Sequence, residues 1–468
     1  MSRLPAQLRI LFVSLSLICT LYLRAQQTYQ PNWESIDSRP IPSWFEDSKF
    51  GIFIHWGLFS VPSWAPTGSS IPVYSKYAEW YWKRMNDTDA VGKMFRAYHN
   101  KTYGADFQYS DFAKDFKAEM FEPAKWADII QQSGARYVVL TSKHHEGFTL
   151  WPSTQSWNWN AMDVGPHRDL AGDLIHAVKA KGLRMGFYYS LYEWYNPLYK
   201  ENVNRYVDEH MLPQMKDLVN RYKPDLVWTD GEWDHPSETW KSTSFLAWLY
   251  NESPVKKDVV VNDRWGKETR SKHGGFYTTE YDLVHEDNTS GKKIEHPWEE
   301  CRGIGGSFGY NRNENLIDYS TSSELIRILI DKVARGGNLL LNIGPTADGR
   351  IPVIMQQRLK DMGDWLKING EGIYNTRAWD QSPPVKPTTT VFFTQKDKDL
   401  YVLLTQWSNS PVVVENIGKP SSVELLGYTG KVKFTVSGNK LTITPPVVSP
   451  GNTPANYAWV FKVKNGIK

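Results

Sequence analysis

The chain has 468 residues, with 54 Lys and Arg against 51 Asp and Glu, a formal +3, and 41% of its residues are hydrophobic. That hydrophobic content, with 27 Pro and 33 Gly, excludes a disordered chain or a coiled coil. Residues 1–25 hold Arg3, Arg9 and Arg24 and no acid, so the remainder balances at 51 of each sign and lacks an electrostatic footprint for nucleic acid.

In chain order, residues 1–25 come first and read as a signal peptide. A basic front precedes an apolar run over 10–23, too short to span a membrane, and Arg24 ends it. Cys19 raises a lipoprotein alternative, but Ile18 stands where a small residue is expected. Cleavage after Ala25 would leave Cys301 as the one cysteine, with no internal disulfide and no Cys-based metal framework. The expected role of Cys301 is that of a buried structural thiol.

Eight short apolar runs follow, at 50–55, 137–142, 185–190, 225–230, 259–263, 276–280, 305–310 and 338–344. Several are nearly continuous in apolar residues, as strands buried on both faces are. Helical patterns lie between many of them. Leu170, Leu174, Ile175 and Val178 share a face that Gly182 ends, and Thr321 with Glu324 forms a capping-box pair ahead of Leu325, Leu329 and Val333. The rhythm predicts an α/β fold, an irregular (β/α)8 TIM-like barrel over 26–375. Little helical pattern follows the fifth and sixth strands. From 376 to 468, short strand-like runs at 388–393, 400–405, 412–415, 432–436, 441–443 and 457–463 predict a C-terminal antiparallel β-sandwich.

A barrel of this type carries its chemistry at the carboxyl ends of its strands. Standing there are His55, His144, His145, Tyr188, Asp230, Arg264, Glu280 and Phe308. Two chemistries fit such residues. A zinc site is disfavoured because a strand-borne site wants His-x-His spacing, and these candidates show none. Glycoside hydrolysis needs two carboxylates flanking one bond, which Asp230 and Glu280 supply from the fourth and sixth strands. The predicted metal content is none, and no cofactor is expected.

Seven segments resemble one family. They are WFEDSKFGIFIHWG (44–57), YAEW (77–80), SKHHEGF (142–148), WTDG (228–231), VNDRW (261–265), RGIGGSFGY (302–310) and GNLLLNIGP (337–345). Together, and in this order, they are similar to α-L-fucosidases of glycoside hydrolase family 29, of the secreted bacterial type. The resemblance implies a retaining exo-hydrolase that removes terminal α-L-fucose from oligosaccharides or glycoconjugates. It makes Asp230 the nucleophile. It makes Glu280, in the segment Thr278-Thr279-Glu280-Tyr281, the acid/base, with Glu299 as the alternative. His55, Glu79, Trp80, His144, His145, Tyr188 and Arg264 match the family's polar or stacking positions for the sugar. Phe53, Trp228 and Phe308 match apolar ones.

Physical reasoning adds three expectations. Asp230 must stay ionised, with Arg264 and the three imidazoles as donors. Glu280 needs an apolar setting, which Phe276, Tyr277 and Tyr281 suit. Phe53 and Phe308 suit the C5 methyl of fucose. Two alternatives stay open: a sugar-binding protein on a decayed barrel, and a hydrolase for another sugar such as galactose.

Overall fold

The computed structural model describes residues 28–282, 295–449 and 451–467, so the expected signal peptide lies outside the described residues. Eight parallel strands form one curled sheet: β1 Phe50–Ile54, β2 Tyr137–Lys143, β3 Arg184–Ser190, β4 Leu226–Asp230, β5 Val260–Val261, β6 Tyr277–Glu280, β7 Trp298–Gly303 and β8 Asn338–Ile343. The order in the sheet is β5-β4-β3-β2-β1-β8-β7-β6. The two edge strands meet through one parallel bridge between Asn262 and Phe276, where the Phe276 N–H donates to the Val261 carbonyl at 3.1 Å. The barrel is therefore closed by a single thin seam. An added Cβ at Gly275 would lie 1.7 Å from the Val261 carbonyl oxygen, so the seam tolerates no side chain there.

Side-chain alternation sorts each strand into two cores. Phe50, Ile52 and Ile54 of β1 point outward into the large core beneath the helices, as do Val138 and Leu140 of β2 and Leu339 and Leu341 of β8. Phe53, Val139, Tyr188, Leu226, Trp228, Cys301 and Leu340 point inward. Phe45 plugs the lower end of the interior, stacked on Phe276 at 4.1 Å. Helices cover the outside. Asp169 caps the helix Leu170–Ala180 through the Gly172 N–H, and the Thr321–Glu324 capping box starts the helix Ser322–Ala334.

The seventh strand is not where the apolar run 305–310 put it. That segment is a loop containing Gly305, Gly306 and Gly309, and the strand is Trp298–Gly303, which carries two buried glutamates. Buried carboxylates break the apolar signature of a barrel strand. Glu299 points inward, where Tyr137 and Trp228 donate to it, and Glu300 points outward to Arg302.

Beyond residue 376 two antiparallel sheets face each other. One has five strands, from β9 Arg377–Ala378, β10 Val391–Lys396, β11 Asp399–Leu404, β13 Ser422–Leu425 and β16 Trp459–Lys464. The other has three, β12 Val412–Val414, β14 Lys433–Ser437 and β15 Lys440–Thr444. In β11, Leu400, Val402 and Leu404 face the small sheet, while Tyr401 and Leu403 join the barrel's outer core. The large sheet is thus buried on both faces and is stitched to the helix Val353–Asn369 by the Trp365 indole N–H on the Ala458 carbonyl, 2.9 Å. The two-residue β9 and the four-residue β13, whose buried Val423 and Leu425 alternate with exposed Glu424, are absent from the sequence-based expectation because both are short.

Candidate active site

A cavity of about 330 Å³ opens at the carboxyl ends of the barrel strands and is at the small end of ligand pockets. The inward register puts Phe53 and then His55 on β1 and beyond it. The same register puts Tyr188 on β3, Trp228 and Asp230 on β4, and Glu280 with its neighbour Cys301 on β6 and β7. Gly231 follows Asp230 with φ 74°, and a Cβ there would meet the Tyr192 ring at 2.6 Å. The chain can turn away at once only because that residue is glycine.

Asp230 is buried, with a firmly held carboxylate. Oδ1 accepts from the Arg264 guanidinium at 2.8 Å, and Arg270 lies 3.7 Å away. Oδ2 accepts from the Tyr188 hydroxyl at 3.0 Å, with His145 Nε2 at 3.7 Å. Burial pushes its carboxyl up, but Arg264, then His145 and Arg270, outweigh that and hold it well below the usual range. Asp230 is therefore ionised at any working pH. Its donors differ from the expected set: Tyr188 donates, whereas His55 and His144 do not reach it. His55 Nδ1 lies 2.7 Å from the Asn342 amide oxygen, whose NH2 is fixed by the Phe308 carbonyl. Nδ1 thus carries the proton and Nε2 is left as an acceptor. Burial, and then the proximity of His144, lowers the His55 pKa to about 3, so this imidazole is neutral.

Glu280 faces Asp230 across the same guanidinium. Arg264 reaches it at 3.5 Å while its own Nε donates to Thr278 at 3.0 Å and its plane lies over the Trp228 ring at 4.4 Å. The second oxygen of Glu280 accepts from the Tyr77 hydroxyl at 2.8 Å. Of its expected aromatic neighbours, Tyr277 turns outward and stacks on His296 at 3.8 Å, and Phe276 lies in the lower barrel. Tyr77 takes their place. It stands in the quoted 77–80 segment, but 203 positions from its partner no spacing rule connects them.

Glu79 completes the polar side. It accepts from the Gly309 N–H at 2.8 Å and the Ser307 hydroxyl at 3.3 Å. Burial, partly offset by His144 and the Gly309 N–H, raises its pKa to about 7. His144 lies parallel to the Tyr188 ring at 5.5 Å, and His145 Nδ1 meets the Ser190 hydroxyl at 2.7 Å. Phe53, Trp228 and Phe308 form the apolar wall, and Trp80, Trp233, Tyr74, Arg84 and Arg270 form the mouth. Tyr74 comes from the 3-10 turn Val73–Ser75, Arg84 from the six-residue helix Tyr81–Asn86 and Arg270 from a turn; elements this short leave no periodic trace, and sequence reasoning did not find them. Among the described residues no group of three or more His, Cys, Asp or Glu is arranged to hold a metal ion. No helix there is long and apolar enough to cross a membrane.

Glu299 is the one candidate that the fold withholds from the cavity. Its register partner is Thr278, whereas that of Glu280 is Cys301, so Glu299 lies one inward layer deeper, roughly 6.6 Å down the strand. Trp228 donates to one of its oxygens at 2.9 Å and Tyr137 to the other. Burial, only partly offset by those donors, raises its pKa to about 7. The folded protein therefore keeps this proton up to about pH 7, while an unfolded carboxyl loses it near 4.5. The resulting stability is full below that lower value and is lost as pH rises through about 7. Glu299→Gln is expected to change catalytic turnover by less than about tenfold, because its carboxyl lies a layer below the cavity. It should also reduce the fall in melting temperature between pH 5 and 8 by roughly 2–4 °C. A loss on the order of 10²-fold or more would return the acid role to Glu299.

An ionised carboxylate facing a second carboxylate over a small, aromatic-walled cavity, at the carboxyl end of a TIM-like barrel, is the equipment of a glycoside hydrolase. The comparisons narrow the class. A sequence model of alpha-L-fucosidase matches residues 17–371, and one of the alpha-L-fucosidase C-terminal domain matches residues 386–464. The chain belongs to the alpha-L-fucosidase family. It is 44% identical to the tissue alpha-L-fucosidase of Homo sapiens over 461 residues, covering 95% of this chain and 94% of that one. It is 42% identical to the alpha-L-fucosidase of Branchiostoma floridae, covering 97% and 99%. The Thermotoga maritima alpha-fucosidase, solved with a mechanism-based inhibitor, superposes with a TM-score of 0.79 at 36% identity, covering 93% and 99%. The same enzyme has been solved with fucose, at a TM-score of 0.77. Animal enzymes match at higher identity than this bacterial one, so the expected bacterial type finds no support in the comparisons.

Proposed function

We propose that the chain releases terminal α-L-fucose from oligosaccharides and glycoconjugates by double displacement, with Asp230 as nucleophile and Glu280 as acid and base. The observation that carries this reading is the Arg264 guanidinium, bonded to Asp230 at 2.8 Å and reaching Glu280 at 3.5 Å from the neighbouring side. In the first step Asp230 bonds to the anomeric carbon as the glycosidic C–O bond breaks, and Glu280 gives its proton to the departing oxygen. In the second, Glu280 takes a proton from water, which attacks the same carbon and releases Asp230. Two inversions amount to retention.

The remaining residues fit the sugar by chemistry. Glu79 and the imidazoles of His55, His144 and His145 supply donors and acceptors for hydroxyls. Trp80 and Tyr188 offer ring faces and edges, and Phe53, Trp228 and Phe308 take the C5 methyl. The chain is further proposed to be exported, on the basic-then-apolar pattern of residues 1–25, and to divide into a catalytic unit over 26–375 and a C-terminal unit over 376–468.

Comparing aryl α-L-fucoside with the aryl α-L-galactoside, which adds one hydroxyl at that methyl, tests the substrate. The fucoside is expected to be favoured by about 10² in kcat/KM, the discrimination an apolar pocket reaches against an added hydroxyl. Phe308→Ala should narrow that preference. Equal rates in the unaltered enzyme would contradict the reading.

A further inference from the structure

The backbone just past Glu280 is strained. Tyr281 and Asp282 both adopt left-handed conformations, with φ 49° and 58°. Side chains disfavour that region, and two consecutive non-glycine residues persist there only when their surroundings hold them.

Both residues are held. The Tyr281 hydroxyl accepts from the Gly303 N–H at 2.8 Å and donates to the Gly305 carbonyl at 3.3 Å. An added Cβ at Gly303 would come within 2.8 Å of that hydroxyl, so the end of β7 is shaped around the phenol. Asp282 is clamped by ions. Its Oδ1 accepts from Lys332 at 2.5 Å, with Arg335 at 3.6 Å, and its Oδ2 accepts from Arg302 at 3.0 Å. Its backbone N–H donates to Glu300 at 3.2 Å, and Glu300 in turn accepts from Arg302 at 2.7 Å. Lys332 and Glu300 are buried. Burying such a cluster costs desolvation that its attractions largely offset, so it is poor evidence of stability alone. None of its members lines the cavity. What it fixes is the turn that begins one residue after Glu280.

We infer that Asp282 is a positioning residue for Glu280. The cluster of Lys332, Arg302 and Arg335 holds the left-handed turn at 281–282, and that turn sets the reach of the Glu280 carboxyl toward the glycosidic oxygen. The inference rests on the proposed acid role of Glu280. It predicts damage confined to proton donation, which a leaving group that departs without a proton would not feel.

The test is Asp282→Asn, assayed by kcat/KM on two substrates, a fucosyl disaccharide and a dinitrophenyl α-L-fucoside. Misplacing a catalytic group by about 1 Å costs on the order of 10²-fold. The disaccharide should therefore lose roughly 10–10²-fold and the dinitrophenyl substrate less than about threefold, since its departure needs no acid. The ratio of the two rates does not depend on how much of the preparation is folded, so a destabilised variant still answers the question. Lys332→Gln, which loosens the clamp from the other side, should shift the ratio in the same direction by less. Equal losses on both substrates in Asp282→Asn would overturn the proposal. Glu280→Ala measured alongside separates the two claims. If Glu280→Ala splits the substrates and Asp282→Asn does not, Asp282 is only structural. If Glu280→Ala itself shows no split, the acid assignment fails first.

Discussion

Asp230→Gly is expected to abolish turnover of an activated aryl α-L-fucoside, lowering kcat on the order of 10⁴-fold or more, as removal of a group that bonds to the reacting atom does. The reason lies in the charge arrangement. Arg264, Tyr188, His145 and Arg270 converge on this one carboxylate and keep it ionised. Deleting it leaves the donors in place with nothing to attack C1. The fold should survive. Removing one partner of a buried ion pair costs about 3–5 kcal/mol when the other is left uncompensated, but Arg264 retains Thr278, Glu280 and the Trp228 face. A melting curve separates the outcomes: inactivity with a cooperative transition supports a chemical role, and inactivity without one does not.

Glu280→Ala should leave a slow enzyme, reduced by about 10²–10⁴-fold on substrates that need protonation, the usual contribution of a general acid. Added azide should restore turnover of an activated aryl fucoside. Azide needs no deprotonation, so it replaces the water that Glu280 would have activated, and the vacated side-chain volume next to Tyr77 and Cys301 gives it room. Rates unmoved by azide would place Glu280 outside the reaction.

Much of this site is legible in the sequence because barrel strands transmit parity. A run such as Val227-Trp228-Thr229-Asp230 places Trp228 and Asp230 on one face, and the same count places Phe53 with His55. The strand-end rule then gathers His55, Tyr188, Asp230 and Glu280 around one cavity from the sequence alone. Legibility ends where the physics stops being periodic. The apolar signal misses β7 because Glu299 and Glu300 are buried with hydrogen bonds from Trp228 and the Asp282 N–H, distant donors that no local pattern announces. Its displacement changes the reading of Glu299 from a candidate at the mouth to a protonated acid one layer below. Tyr77 and Arg270 arrive on irregular loops, so their contacts with Glu280 and Asp230 depend on the closed barrel, not on spacing. The two-residue β5 and the single-bridge seam likewise follow from closure of the sheet.

Double displacement through Asp230, assisted by Glu280, is tested most directly by the anomeric configuration of the fucosyl azide that each variant forms, read by proton NMR. In Asp230→Gly, azide takes the place of the missing carboxylate and displaces the leaving group once, which gives β-L-fucosyl azide. In Glu280→Ala, Asp230 first forms the fucosyl-enzyme and azide then displaces it from the opposite face, which gives α-L-fucosyl azide. Opposite anomers from the two variants are the predicted result; the same anomer from both would contradict the assignment of the two carboxylates.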